Sequence, residues 1–103
     1  MSIYERAKSV VRDFASKYNL NLKKARISPA WHLFKEWQAG NTRKRKSIYV
    51  KVLKHGVFVA AYTNVREVTH WDWRHNYVEH FRKVVAIEEL PKELEKAYRF
   101  VFS

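Results

Sequence analysis

Residues 47–64 read SIYVKVLKHGVFVAAYTN. Two runs rich in Val, Ile, Tyr and Phe flank His55-Gly56, and this pattern predicts a β-hairpin with a two-residue turn there. Pairing Lys54 with Val57 puts Ile48, Val50, Val52, Val59, Ala61 and Thr63 on one face, the natural core side. The other face then carries Tyr49, Lys51, Leu53, Phe58, Ala60 and Tyr62. Val65 to Val68 extends the sheet as a short third strand.

Upstream of the hairpin, Asn41 to Lys46 (NTRKRK) reads as a polar, basic loop. Ser28-Pro29 suits a helix start, with Ser as cap and Pro at the first helical position. Ala30, Leu33, Phe34 and Trp37 supply a helical stripe, and Gly40 a stop. The N-terminal helix, about 3–18, is capped by Ser2 with Glu5 three residues on. Its stripe is Ile3, Ala7, Val10, Val11, Phe14 and Tyr18. Asn19 to Ile27 connects the two helices, and the alternation at Leu20 and Leu22 suits a short strand.

Downstream, a third helix is expected at about 70–85. Thr69 and Asp72 form its capping box, Val68 and Trp73 a hydrophobic staple, and Trp73, Tyr77, Val78, Phe81, Val84 and Val85 its stripe. A fourth follows Glu88, Glu89 and Pro91, burying Leu94, Ala97, Tyr98 and Val101. The closing run Arg99–Phe102 suits a helix or a strand equally. The expected architecture is α+β, a single domain over 1–103. Two N-terminal helices precede a central antiparallel β-hairpin with a short third strand, and two C-terminal helices pack on one face of the sheet.

The chain has 103 residues, 47% hydrophobic and 16% aromatic, which is enough for one core and too apolar for disorder. It has no Cys, so disulfides, thiolate nucleophiles and Cys-based zinc sites are excluded, and a reducing, cytoplasmic setting is the expectation. Absent Cys and a single Gln have a thermophile or viral flavour. No signal-peptide pattern or membrane-length apolar run is present.

Charge carries the functional reading. The formal net charge is +11. From Lys17 to Lys54 eleven basic side chains face one acid, Glu36, a net of +10, whereas the last twenty residues net −1. Solubility does not require that asymmetry, and a polyanionic partner explains it. Arg43, Lys44, Arg45 and Lys46 lead into the hairpin, followed by Lys51 and Lys54, as phosphate-neutralising residues. Tyr49, Phe58 and Tyr62 interleave with them as base-stacking candidates. Lys23, Lys24, Arg26 and Lys35 widen the footprint.

Other chemistry finds little purchase. His70, His75 and His80 recur every five residues, which on a helix points them in three directions, and His75 with Glu79 lacks a third metal ligand. The acids take capping positions or lie scattered, and no GxSxG, P-loop or HExxH motif occurs. No cofactor, metal or small-molecule substrate is implied. Trp31 and Trp71 suit the rim of a core better than a stacking role.

A helix followed by a basic hairpin resembles the second half of a winged helix-turn-helix. The resemblance implies residues 29–39 in a DNA groove and Lys54-His55-Gly56 as the wing. The stretch Asn19 to Ser28 is too short for the additional helix such folds carry. The leading expectation is a small, sequence-independent DNA- or RNA-binding protein that is not an enzyme. The alternatives are an interaction, assembly or accessory inhibitor protein whose aromatic hairpin face is a dimer or partner interface, and a small nuclease.

Overall fold

A computed structural model describes residues 2–27, 29–67 and 77–102. Helix α1 spans Ile3–Lys17, and the strands are β1 (Asn21–Lys24), β2 (Ala30–Ala39), β3 (Thr42–Leu53), β4 (Gly56–Glu67) and β5 (Tyr77–Val85). A 3-10 turn, Ile87–Glu89, leads into helix α2 (Leu90–Phe102). The strands form one five-stranded antiparallel sheet in the order β1-β2-β3-β4-β5, so each pairs with its neighbour in sequence.

This overturns the expected architecture: there is one helix at each end, not two, and the hairpin is the middle of a meander. Helix α1 forms where its stripe lies. The Ser2 hydroxyl accepts from the Glu5 amide at 3.1 Å, and Ala7, Val11, Phe14 and Ala15 are buried. Asn19 ends it with φ 53°, a left-handed position that Asn tolerates.

The second helix is strand β2. Besides the stripe of Ala30, Leu33, Phe34 and Trp37, the segment carries a two-residue alternation, Trp31 and Leu33 against His32 and Phe34. Ten residues of pairing with β3, from Ala30↔Lys51 to Ala39↔Thr42, decide in favour of strand. Gly40, read as a helix stop, is instead the first residue of the two-residue turn Gly40-Asn41, with φ +61°. Ser28, its expected cap, lies outside the described residues.

The basic loop 41–46 is likewise strand, the first half of β3. The turn of the next hairpin is Lys54-His55, with Leu53 opposite Gly56 rather than Lys54 opposite Val57. Each strand has slipped by one, and because the two slips add, the predicted faces survive. Gly56 belongs to β4 because β5 presses on it: a Cβ there would lie 3.0 Å from the Val85 carbonyl oxygen and 3.2 Å from a Val84 methyl. Of the expected third strand, Val65 to Glu67 is the end of β4, and Val68 lies outside the described residues.

Of the expected third helix, 77–85 is β5. A bulge opposite Ala61/Tyr62 pairs Ala61 with Phe81 but Tyr62 with Glu79. The extra residue sets Val78 and Phe81 three apart on one face, a spacing that imitates a helix. Thr69, His70, Trp71, Asp72, Trp73 and His75 lie outside the described residues.

Both helices pack on one sheet face. Trp31, Leu33, Ile48, Val50, Val57, Val59, Ala61 and Val85 meet Ala7, Val11, Phe14, Leu94, Ala97 and Val101 in a single core. The helices are tied to each other by Tyr18 stacked on Tyr98 at 3.9 Å and by Lys17 Nζ on Glu95 at 2.6 Å. Glu93, 3% exposed, accepts from Lys83 of β5 at 3.1 Å and Lys96 at 3.4 Å, which compensates the burial of its charge. Trp31 is core, 4% exposed, its ring 5.5 Å from Tyr4. The core ends at the row Leu33–Ile48–Ala61, but β2, β3 and β4 continue beyond it as an arm on which Trp37 and Val65 are exposed.

Candidate nucleic-acid interface

Among the described residues no helix covers the second sheet face. Register fixes its rows: Lys23, His32, Tyr49, Ala60 and Arg82 lie side by side, then Phe34, Ser47, Tyr62 and Glu79. Lys51, Phe58 and Val84 make a third row, and Glu36, Arg45 and Asn64 a fourth. Ala30, Ser47 and Ala60 are buried on this face, yet the two alanines take no part in the core. They form a floor of small side chains shielded by larger neighbours. His32, Phe34, Tyr49, Phe58 and Tyr62 are those neighbours, each partly exposed.

The rings brace one another. His32 and Tyr49 have centroids 5.0 Å apart, and Tyr49 meets Phe58 edge-on at 6.1 Å. Arg45 lies over Phe34 at 4.6 Å and Arg82 over Phe58 at 5.9 Å. Each such contact contributes about 0.5–1.5 kcal/mol, enough to hold the rings in place. Arg45 pairs with its cross-strand neighbour Glu36, and Arg82 with Glu79. The pairing with Glu79, beside the Tyr62 hydroxyl, raises the Arg82 pKa. Burial, then the charges of Arg45 and Lys23, push the His32 pKa down, so its imidazole is neutral at neutral pH.

The expected site residues divide. Tyr49, Phe58, Tyr62, Lys51, Lys23, Arg43 and Arg45 share this face, with Arg26 on the β1–β2 connector beside it. Lys44 and Lys46 point to the helix side of the arm, because β3 alternates where a loop was expected. There Lys46 lies 5.8 Å over the Trp37 ring, and Lys35 is opposite Lys46. Lys24, opposite Trp31, also lies on the helix side. Lys54 sits in the β3–β4 turn, roughly 36 Å along the strand from Arg43 at about 3.3 Å per residue. The basic run is therefore a rail rather than a cluster. With residues 30–39 a strand, the groove helix of the winged-helix resemblance does not exist.

His32, Phe34 and Arg82 belong to the face and were missed. A strand reading of 30–39 would have found the first two, since they alternate with Trp31 and Leu33. Arg82 required β5. No group of three or more His, Asp or Glu that could hold a metal occurs among the described residues, and no helix described is long and apolar enough to cross a membrane. No family model matches the chain, nor does any curated protein or solved structure.

Proposed function

We propose that this domain binds nucleic acid without reading its sequence, laying the polyanion along the open sheet face. The observation that carries the reading is the one-sided packing: both helices lie on the Ile48/Val50 face, and the opposite face presents braced rings between cations. Rings stack on any base and cations neutralise any phosphate, so this combination favours affinity over specificity. An apolar protein partner fits less well, because Arg45 and Arg82 cap Phe34 and Phe58 and would be desolvated with them. A cysteine-free chain with such a partner suits a cytoplasmic setting.

The test is fluorescence anisotropy with labelled single- and double-stranded DNA and RNA across a salt series. Log affinity is expected to fall linearly with log salt. Absent or salt-insensitive binding to all four ligands refutes the proposal. Concentration-dependent self-association blocked by Tyr49→Asp would transfer the face to a dimer interface.

A further inference from the structure

Where the β1–β2 connector meets the open face there is a hollow of 350 Å³ lined by Ala25, Arg26, Ile27, His32, Tyr49 and Tyr62. We infer that this hollow seats one nucleotide of a single strand, its base stacked against the Tyr49 ring and its phosphate toward Arg26. The inference rests on the nucleic-acid reading above and specifies the form of ligand.

Size comes first. Small-molecule sites run from about 300 to 1,000 Å³, so this hollow lies near the lower end. It has room for one planar heterocycle with its sugar. The two ends of its connector wall are tied to the sheet: the Ala25 amide donates to the Ala30 carbonyl at 2.8 Å, and the Pro29 carbonyl accepts from the Val52 amide at 2.9 Å.

Chemistry comes second. The His32 and Tyr49 rings, inclined at 33°, give an aromatic surface, and Ile27, 74% exposed, supplies an apolar lip. Neutral His32 offers one donor and one acceptor for the polar edge of a base. Arg26 is exposed at the rim, and Lys23 occupies the next position in the row beyond His32. A base within a duplex cannot reach this surface without leaving its stack, so the ligand is single-stranded or a free nucleotide.

The experiment compares an intact single-stranded 12-mer with a fully abasic 12-mer of the same backbone. A parallel amide-detected NMR titration uses a 5′-mononucleotide, with inorganic phosphate as control. The intact strand is expected to bind about 5- to 150-fold more tightly than the abasic one, the range for one stacked base. The mononucleotide is expected to shift the amides of Arg26, Ile27 and Tyr49 saturably, with phosphate moving Arg26 alone. Tyr49→Leu should reduce the discrimination and leave the salt slope intact; Ile27→Ser, on the exposed lip, repeats the test without touching the sheet. Equal, salt-dependent binding of both strands overturns the seat and leaves the general function standing. If the mononucleotide saturates while the strands bind equally, the seat serves free nucleotides and its role in strand binding falls. Failure of every ligand to bind removes both proposals.

Discussion

If the open face is the interface, then the four consecutive cations of residues 43–46 cannot be equivalent. Arg43 and Arg45 point to that face, Lys44 and Lys46 away from it. The described side chains there include six cations (Lys23, Arg26, Arg43, Arg45, Lys51, Arg82) and two carboxylates (Glu36, Glu79), a net of four. At about 0.7 per neutralised phosphate for a single strand, the slope of log affinity against log salt is about −3. Raising salt from 50 to 200 mM should therefore weaken wild-type binding about 50-fold. R43A/R45A leaves a net of two and a slope of about −1.4, so the same change in salt costs only about sevenfold. K44A/K46A removes equal charge from the opposite side and should stay near the wild-type slope. Anisotropy titrations of the three proteins on one single-stranded oligomer decide the matter. Equal flattening in the two double variants would refute the assignment of the interface to one face, and with it the argument from β3 alternation.

Gly56→Ala should destabilise the fold by about 1–3 kcal/mol, since its Cβ would meet the Val85 backbone oxygen and the sheet must yield; urea denaturation shows it, and an unchanged midpoint contradicts the tight β4–β5 approach. Gly40→Ala should cost about 1–2 kcal/mol for a different reason: nothing crowds it, but φ +61° is strained for Ala, and Gly40→Asn should recover part of the loss in the same assay. The Glu95 pKa is lowered by hydrogen bonds from Lys17 and Tyr18. Burial pushes Glu93 up, but Lys83 and Lys96 outweigh it and lower its pKa as well. A carboxylate depressed in the fold stabilises it above its unfolded pKa and loses that stabilisation as pH falls through the folded value. Stability should thus hold from neutrality down to the ordinary carboxylate range near pH 4.5 and decline below it, with a shallower decline in Glu95→Gln. Leu94→Ala, at a fully buried position, should cost about 2–5 kcal/mol by thermal unfolding.

The hairpin and helix α1 were legible because each shows one periodicity and no rival; helix α2 was legible up to Tyr98, its last turn Arg99–Phe102 suiting a strand equally. The strands misread as helices were those where two periodicities coexist. Residues 30–39 satisfy a helical stripe and a strand alternation together, and only pairing with β3, which local sequence does not contain, decides between them. In β5 the bulge disguises the alternation. Gly40 and Gly56 misled in complementary ways, since a glycine marks a helix end, a turn or a close backbone approach with the same symbol. The site was half legible. Tyr49, Phe58 and Tyr62 were placed on one face because face assignment survives a paired slip in register. The cations were expected in a loop, and their division between two faces became visible only once 42–46 was strand.

The meander has a kinetic consequence. Every strand pairs with its neighbour in the chain, so the sheet can assemble strand by strand from contacts near in sequence. The most distant contacts are those that join the two ends of the chain, Tyr18 with Tyr98 and Lys17 with Glu95. Closing that span is the slowest loop to form and has least to gain until the sheet exists to receive both helices. The expected sequence is sheet first, with α1 and α2 docking late. Tyr98→Ala should then accelerate unfolding while leaving refolding almost unchanged. The same order would expose the inner sheet face, with Ile48, Val50, Val57 and Val59, in any partly folded chain. The terminal helices would then act as the covers that keep a growing sheet from sticking to its copies.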